Sequence, residues 1–122
     1  MSGRVDRIGA RDESSGPREG TDLSHGDREK LTDAVIQADL AVLSALANET
    51  RYETLCALIH AEDGLYVREL EDRLGVSQSA ISHGLADLYE VGLVSRVKDG
   101  RRRIYRPTER AVTIVAALDA VR

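Results

Sequence analysis

The stretch from Val67 to Glu90, VRELEDRLGVSQSAISHGLADLYE, constrains the fold more than any other part of the chain. Val67, Leu70 and Leu74 fall on one face of a short helix, and Ile81, Leu85 and Leu88 recur at i, i+4 and i+7 on a second. Between them Gly75 can take the left-handed conformation that stops a helix, and Ser77 is a residue type that starts one. Two short amphipathic helices with so tight a turn between them must share one core.

The flanking segments extend this pair in both directions. Apolar residues at helical spacing from Ala34 to Leu46 predict a first helix that is interrupted at Asn48. Thr50, with Glu53 three residues on, has the pattern of a capping box for a second helix carrying Leu55, Leu58 and Ile59 and ending near Asp63-Gly64. Gly92 ends the helix that begins after Ser77. LVSRVKDGRRRIYRP then holds two β-prone runs around Asp99-Gly100, a dipeptide suited to a two-residue hairpin turn. Beyond Pro107, Thr108 caps a last helix that Ala111, Val112, Ile114, Val115, Ala116, Leu118 and Val121 make apolar on nearly every side. The chain has no Trp and no Phe, so Leu, Val, Ile and Ala must fill the core, and such small side chains suit packed helices. The expected architecture is mainly α, with about five helices and a two-stranded β-hairpin in one domain over residues 31–122. Residues 1–30 are rich in Gly, Ser, Arg and acids, with too few apolar side chains to offset the entropy of ordering, and are expected to form a disordered arm.

Charge is segregated along the chain. The formal net charge of −4 hides a balance of −8 over residues 31–90 and +5 over residues 91–110. A short basic segment therefore sits on an acidic body, and the sum says little about partners. Two lysines against fifteen arginines, with that acidic body, point to a high-GC or salt-adapted source. The single Cys56 forbids an internal disulfide and fits a reducing interior. No apolar run is long enough to cross a bilayer and MSGRVDRIGARDE lacks the apolar core of a secretory signal, so a cytoplasmic location is expected. No Ser/His/Asp, Cys/His or paired-carboxylate arrangement comes with a matching site, there is no Gly-rich phosphate loop, and no enzyme activity is expected.

The helix after Ser77 raises a specific question, because Gln78, Ser79, Ser82 and His83 cover the side opposite its apolar stripe and no charge appears before Asp87. A helix that enters the DNA major groove by its N-terminus needs short or hydrogen-bonding side chains there, so that the backbone approaches while Gln and Ser reach base edges. Helix, glycine turn, helix is the helix-turn-helix arrangement, and the following KDGRRR supplies a cationic hairpin able to reach phosphates. Gln78, Ser79, Ser82 and His83 are accordingly expected to read bases, while Ser77, Lys98, Arg101, Arg102 and Arg103 hold the backbone of double-stranded DNA. The competing reading is a protein-interaction module, which would need no basic hairpin beside a carboxylate-free helix face.

LANETRYETLCALI, VRELEDRLGVSQSAISHGLADLYEVGLV and KDGRRRIYRP, taken in that order, closely resemble the ArsR/SmtB family of winged helix-turn-helix repressors from about Leu40 to Arg106. The resemblance implies a homodimer joined through its first and last helices that binds an inverted-repeat operator, with the hairpin as wing. The apolar last helix agrees, since a body this small cannot bury it on all sides. Two of the family's metal sites are missing. Tyr66 and Arg68 stand where a CxC pair would lie, and the last helix offers only Glu109 and Asp119, with no His. The family's usual histidine one position after His83 is Gly84 in this chain. Cys56 and His60, spaced i, i+4, invite a soft-metal reading with Asp63, but Cys56 lies where a small core residue is wanted and His60 suits a helix C-terminus. No metal or cofactor is expected.

Overall fold

The computed structural model describes residues 31–122, so the expected arm over residues 1–30 lies outside the described residues. Five helices and one hairpin follow in order: α1 (Asp33–Leu46), α2 (Glu49–His60), α3 (Val67–Leu74), α4 (Gln78–Glu90), β1 (Val94–Asp99), β2 (Arg102–Pro107) and α5 (Glu109–Ala120). The chain divides between Gln37 and Ala38, within α1, and the packing below is that of Ala38–Arg122.

The α4 stripe and the centre of the α3 stripe are buried as their spacing requires, with Val67 and Leu74 half-buried against the same core. Leu70 of α3 and Ile81, Leu85 and Leu88 of α4 are fully shielded, together with Leu55 and Leu58 of α2. Burying each such side chain contributes on the order of 1.5–3 kcal/mol, so this leucine-rich layer supplies much of what holds the short helices in place. Leu93, Val94, Tyr105, Ala111 and Val115 close the same core from the hairpin and α5. This is the mainly helical, winged helix-turn-helix architecture expected from the sequence.

Caps set the helix limits. Gly75 ends α3 at φ 68°, and the Ser77 hydroxyl accepts from the Ala80 N–H at 3.1 Å to begin α4. At the far end of α4, the Leu93 N–H reaches the Leu88 carbonyl at 2.9 Å and the Gly92 N–H reaches that of Tyr89 at 3.0 Å, a Schellman closure that turns the chain straight into the core.

Three local expectations are corrected. The N-cap of α2 is Asn48, whose Oδ1 accepts from the Arg51 N–H at 2.9 Å, and not Thr50. Thr50 lies inside the helix, where its carbonyl accepts from the Thr54 hydroxyl at 2.7 Å. The same helix stops at His60, short of Asp63-Gly64, because the chain has to extend early. Leu65 pairs with Tyr105 through reciprocal 2.9 Å backbone bonds, adding a one-residue third strand to the hairpin. Gly64 is required there: its φ is 84°, and a Cβ would sit 2.8 Å from the Tyr105 carbonyl oxygen. In the hairpin, Asp99 pairs with Arg102, so the turn is Gly100-Arg101 rather than Asp99-Gly100.

No helix among the described residues is long and apolar enough to cross a membrane.

Candidate nucleic-acid interface

The position of α4 is fixed from three directions. At its middle, Gly84 is buried against Arg51, whose Cγ would lie 3.2 Å from an added Cβ. The Arg51 head donates from Nε to the Ala45 carbonyl at 2.7 Å and from Nη2 to that of Ser44 at 3.2 Å, satisfying the open C-terminal carbonyls of α1. Its Nη1 meets Asp87 of α4 at 3.4 Å. At the end of α4, Thr108 donates to the Gly92 carbonyl at 2.7 Å and Arg110 to that of Val91 at 2.8 Å. The close packing at Gly84 explains why a helix-weakening residue stands there.

With its stripe inward, α4 leaves Ser77, Gln78, Ser79 and His83 exposed and Ser82 half-buried. Its first carboxylates are Asp87, already engaged by Arg51, and Glu90 in the last turn. The N-terminal two turns therefore offer hydroxyls, an amide and an imidazole, with no acidic group to repel a polyanion.

The wing is held to the body by aromatic side chains. The Tyr66 hydroxyl donates to Asp99 Oδ2 at 2.5 Å, and the Arg102 guanidinium lies 3.9 Å over the Tyr66 ring. Both ends of the turn are thus tied to the residue that caps α3. On the other side, Arg96 of β1 stacks 3.8 Å from the Tyr89 ring of α4. The hydrogen bond to Asp99, with smaller contributions from burial and from that carboxylate's charge, pushes the Tyr66 phenol above its ordinary value of 10.0.

A cleft of about 520 Å³ lies between the start of α3 and the wing. It brings together Gln78, Lys98, Arg101, Arg102 and Arg103 of the expected site. Ser77, Ser79, Ser82 and His83 do not line it and occupy the solvent face of α4 instead. Sequence reasoning missed Tyr66 and Arg68 in this wall, having read them only as positions without cysteine. Arg68 lies in the acidic part of the chain, about thirty residues from the other cations of the cleft, so segment charge gave no signal for it.

Among the described residues no group of three or more metal-capable side chains gathers. Cys56 is half-buried against the core, and the His60 imidazole is hydrogen-bonded through Nδ1 to the Cys56 carbonyl at 2.8 Å.

Four similarities to known proteins bear on this geometry. Residues 48–96, from the cap of α2 into the wing, match the family model described as bacterial regulatory protein, arsR family. A putative arsenical resistance operon repressor of Halobacterium salinarum is 50% identical over 84 residues, covering 69% of this chain and 71% of the relative. The solved structure of HlyU from Vibrio cholerae superposes with a TM-score of 0.64 at 32% identity, over 74% of this chain and 97% of that one. A homodimeric winged helix-turn-helix DNA-binding domain from Mycobacterium bovis, solved by solution NMR, does so with a TM-score of 0.66 at 27% identity, over 75% of this chain and 87% of that one.

Proposed function

This chain belongs to the arsR family of bacterial regulatory proteins and is a DNA-binding transcriptional regulator, and we propose that it acts in the cytoplasm as a homodimeric repressor on an inverted-repeat operator. The family consists of regulators and not enzymes. In the proposed complex the N-terminal turns of α4 lie in the major groove. Gln78, Ser79, Ser82 and His83 contact base edges there, while Ser77, Lys98, Arg101, Arg102 and Arg103 hold phosphates.

The observation that carries this reading is a solvent face on α4 with no acid in its first two turns, opening directly onto a cleft walled by cations. Arginines flanking a helix of small polar side chains match what a groove with phosphate edges demands. Repression follows the named relative from Halobacterium salinarum.

Dimerisation is supported by apolar surface on the two helices named for it. Leu40 and Leu43 of α1 are 50% and 60% exposed, and Val112 and Leu118 of α5 are 42% and 41% exposed. Side chains of that kind, repeated along two helices, are what a second copy covers. Two α4 helices related by a twofold axis would then meet half-sites one helical turn apart, about 34–36 Å.

Fluorescence anisotropy with duplexes from the region upstream of the chain's own gene tests this. A saturable complex with one such duplex, tighter than with a scrambled duplex of equal length, is expected. Equal binding to both would refute a sequence-reading role.

A further inference from the structure

Resting on the DNA-binding reading, we infer that the cleft between α3 and the wing is a defined site for a phosphate of the operator backbone, with Arg68 as a ligand and Tyr66 as its positioning residue. The register of the hairpin is the starting point. Lys98 and Arg103 are directly opposed across β1 and β2, and like charges in that position destabilise a sheet, a cost that an anion held between them would remove. Both side chains line the cleft, and so does Arg68 from the first turn of α3.

Among the described residues the cleft has no anion of its own. Among those residues five cationic side chains reach its wall and no carboxylate does. The two side-chain ion pairs among the described residues, Arg51–Asp87 and Arg122–Asp119, leave these cations alone. Asp99, the one acid in the hairpin strands, is engaged by the Tyr66 hydroxyl. A phosphate there would meet guanidinium forks able to bind it in two-pronged fashion.

Gln78 connects the cleft to the reading face, because it is both the first residue of α4 and part of the cleft wall. A duplex whose base edges reach Gln78 carries a backbone within reach of the same wall. The phosphate contact thus sets the register in which α4 meets the bases, and Tyr66 keeps the wing half of the site in place before DNA arrives.

Two substitutions separate ligand from positioner. Arg68 is exposed on α3, so Arg68→Gln leaves the core intact, and Arg73→Gln, on the last turn of the same helix and outside the cleft, is its control. Anisotropy titrations of the full chain against operator duplex across a salt series give the slope of log affinity against log salt. Arg68→Gln is expected to make that slope shallower by about 0.9, the release of one phosphate contact, with Arg73→Gln equal to wild type. Tyr66→Phe is expected to weaken binding about tenfold with the slope unchanged, in a chain that still unfolds cooperatively.

A wild-type slope in a well-folded Arg68→Gln protein overturns the inference while leaving the regulator reading intact. Wild-type chain that binds no duplex at all overturns the regulator reading instead. Calorimetry with inorganic pyrophosphate is the second arm. Its binding to DNA-free chain together with an unaltered Arg68→Gln salt slope would assign the cleft to a free anion, and overturn the inference as well.

Discussion

Tyr66 shows how much of the interface depends on a single side chain. Its ring carries Arg102 and its hydroxyl holds Asp99, so one residue at the start of α3 fixes both ends of the wing turn. The phenol is held above 10.0 in the folded chain, which means folding favours its protonated form. The contribution is therefore complete below pH 10 and is lost only as pH climbs through the raised value. An ultraviolet titration of the four tyrosines should show a late ionisation step that Tyr66→Phe removes. Loss of an ordinary or early step in that variant would contradict the assignment. Caps at Gly75, Ser77, Gly92 and Thr108 were legible in the sequence because each acts within one turn of its own chain. Tyr66 was not, since its partners lie 33 and 36 residues away and only the folded hairpin brings them near. The cap of α2 was misplaced for a smaller reason. Asn48 and Thr50 are both good capping types two residues apart, and local pattern alone does not rank them.

At the scale of elements, α4, the proposed reading helix, is seated by neighbours more than by its own propensity. Its stripe of Ile81, Leu85 and Leu88 was plain from spacing, and so was its end at Gly92. The seat formed by Arg51 was not, because an arginine in an apolar-rich helix reads as a solvated charge. In the fold that side chain closes the C-terminus of α1, packs over Gly84 and pairs with Asp87. Gly84→Ala would ordinarily stabilise a helix by about 1 kcal/mol. In this chain the new methyl meets a side chain pinned by three polar contacts, and disturbing these costs about 1–3 kcal/mol. Urea unfolding should therefore show a net loss of about 1 kcal/mol, and a gain would mean that Arg51 moves aside freely. The one-residue strand at Leu65 was equally hidden, since a single bridge leaves no alternation to detect.

Across the whole molecule, the segregation of charge noted in the sequence becomes a division of surface. The basic segment is the wing, joined by Arg68 from the acidic body, and all five cleft cations face one cavity. The proposed twofold assembly adds the second requirement, that two such surfaces be presented together. Leu43, 60% exposed on α1, contributes little to a lone chain, so Leu43→Asp should leave helix content near wild type. Sedimentation equilibrium of that variant is expected to report a single chain where wild type reports two. A dimer that survives the substitution would place the interface elsewhere.

In the proposed complex the N-terminal face of α4 reads bases while the wing grips the backbone. The ratio of operator affinity to scrambled-duplex affinity measures this most directly, for wild type, Gln78→Ala and Arg102→Ala at one salt concentration. Gln78→Ala is predicted to lower the ratio, losing about 1–3 kcal/mol on the operator alone, while Arg102→Ala weakens both duplexes together and leaves the ratio standing. A Gln78→Ala protein that keeps the wild-type ratio would contradict the account.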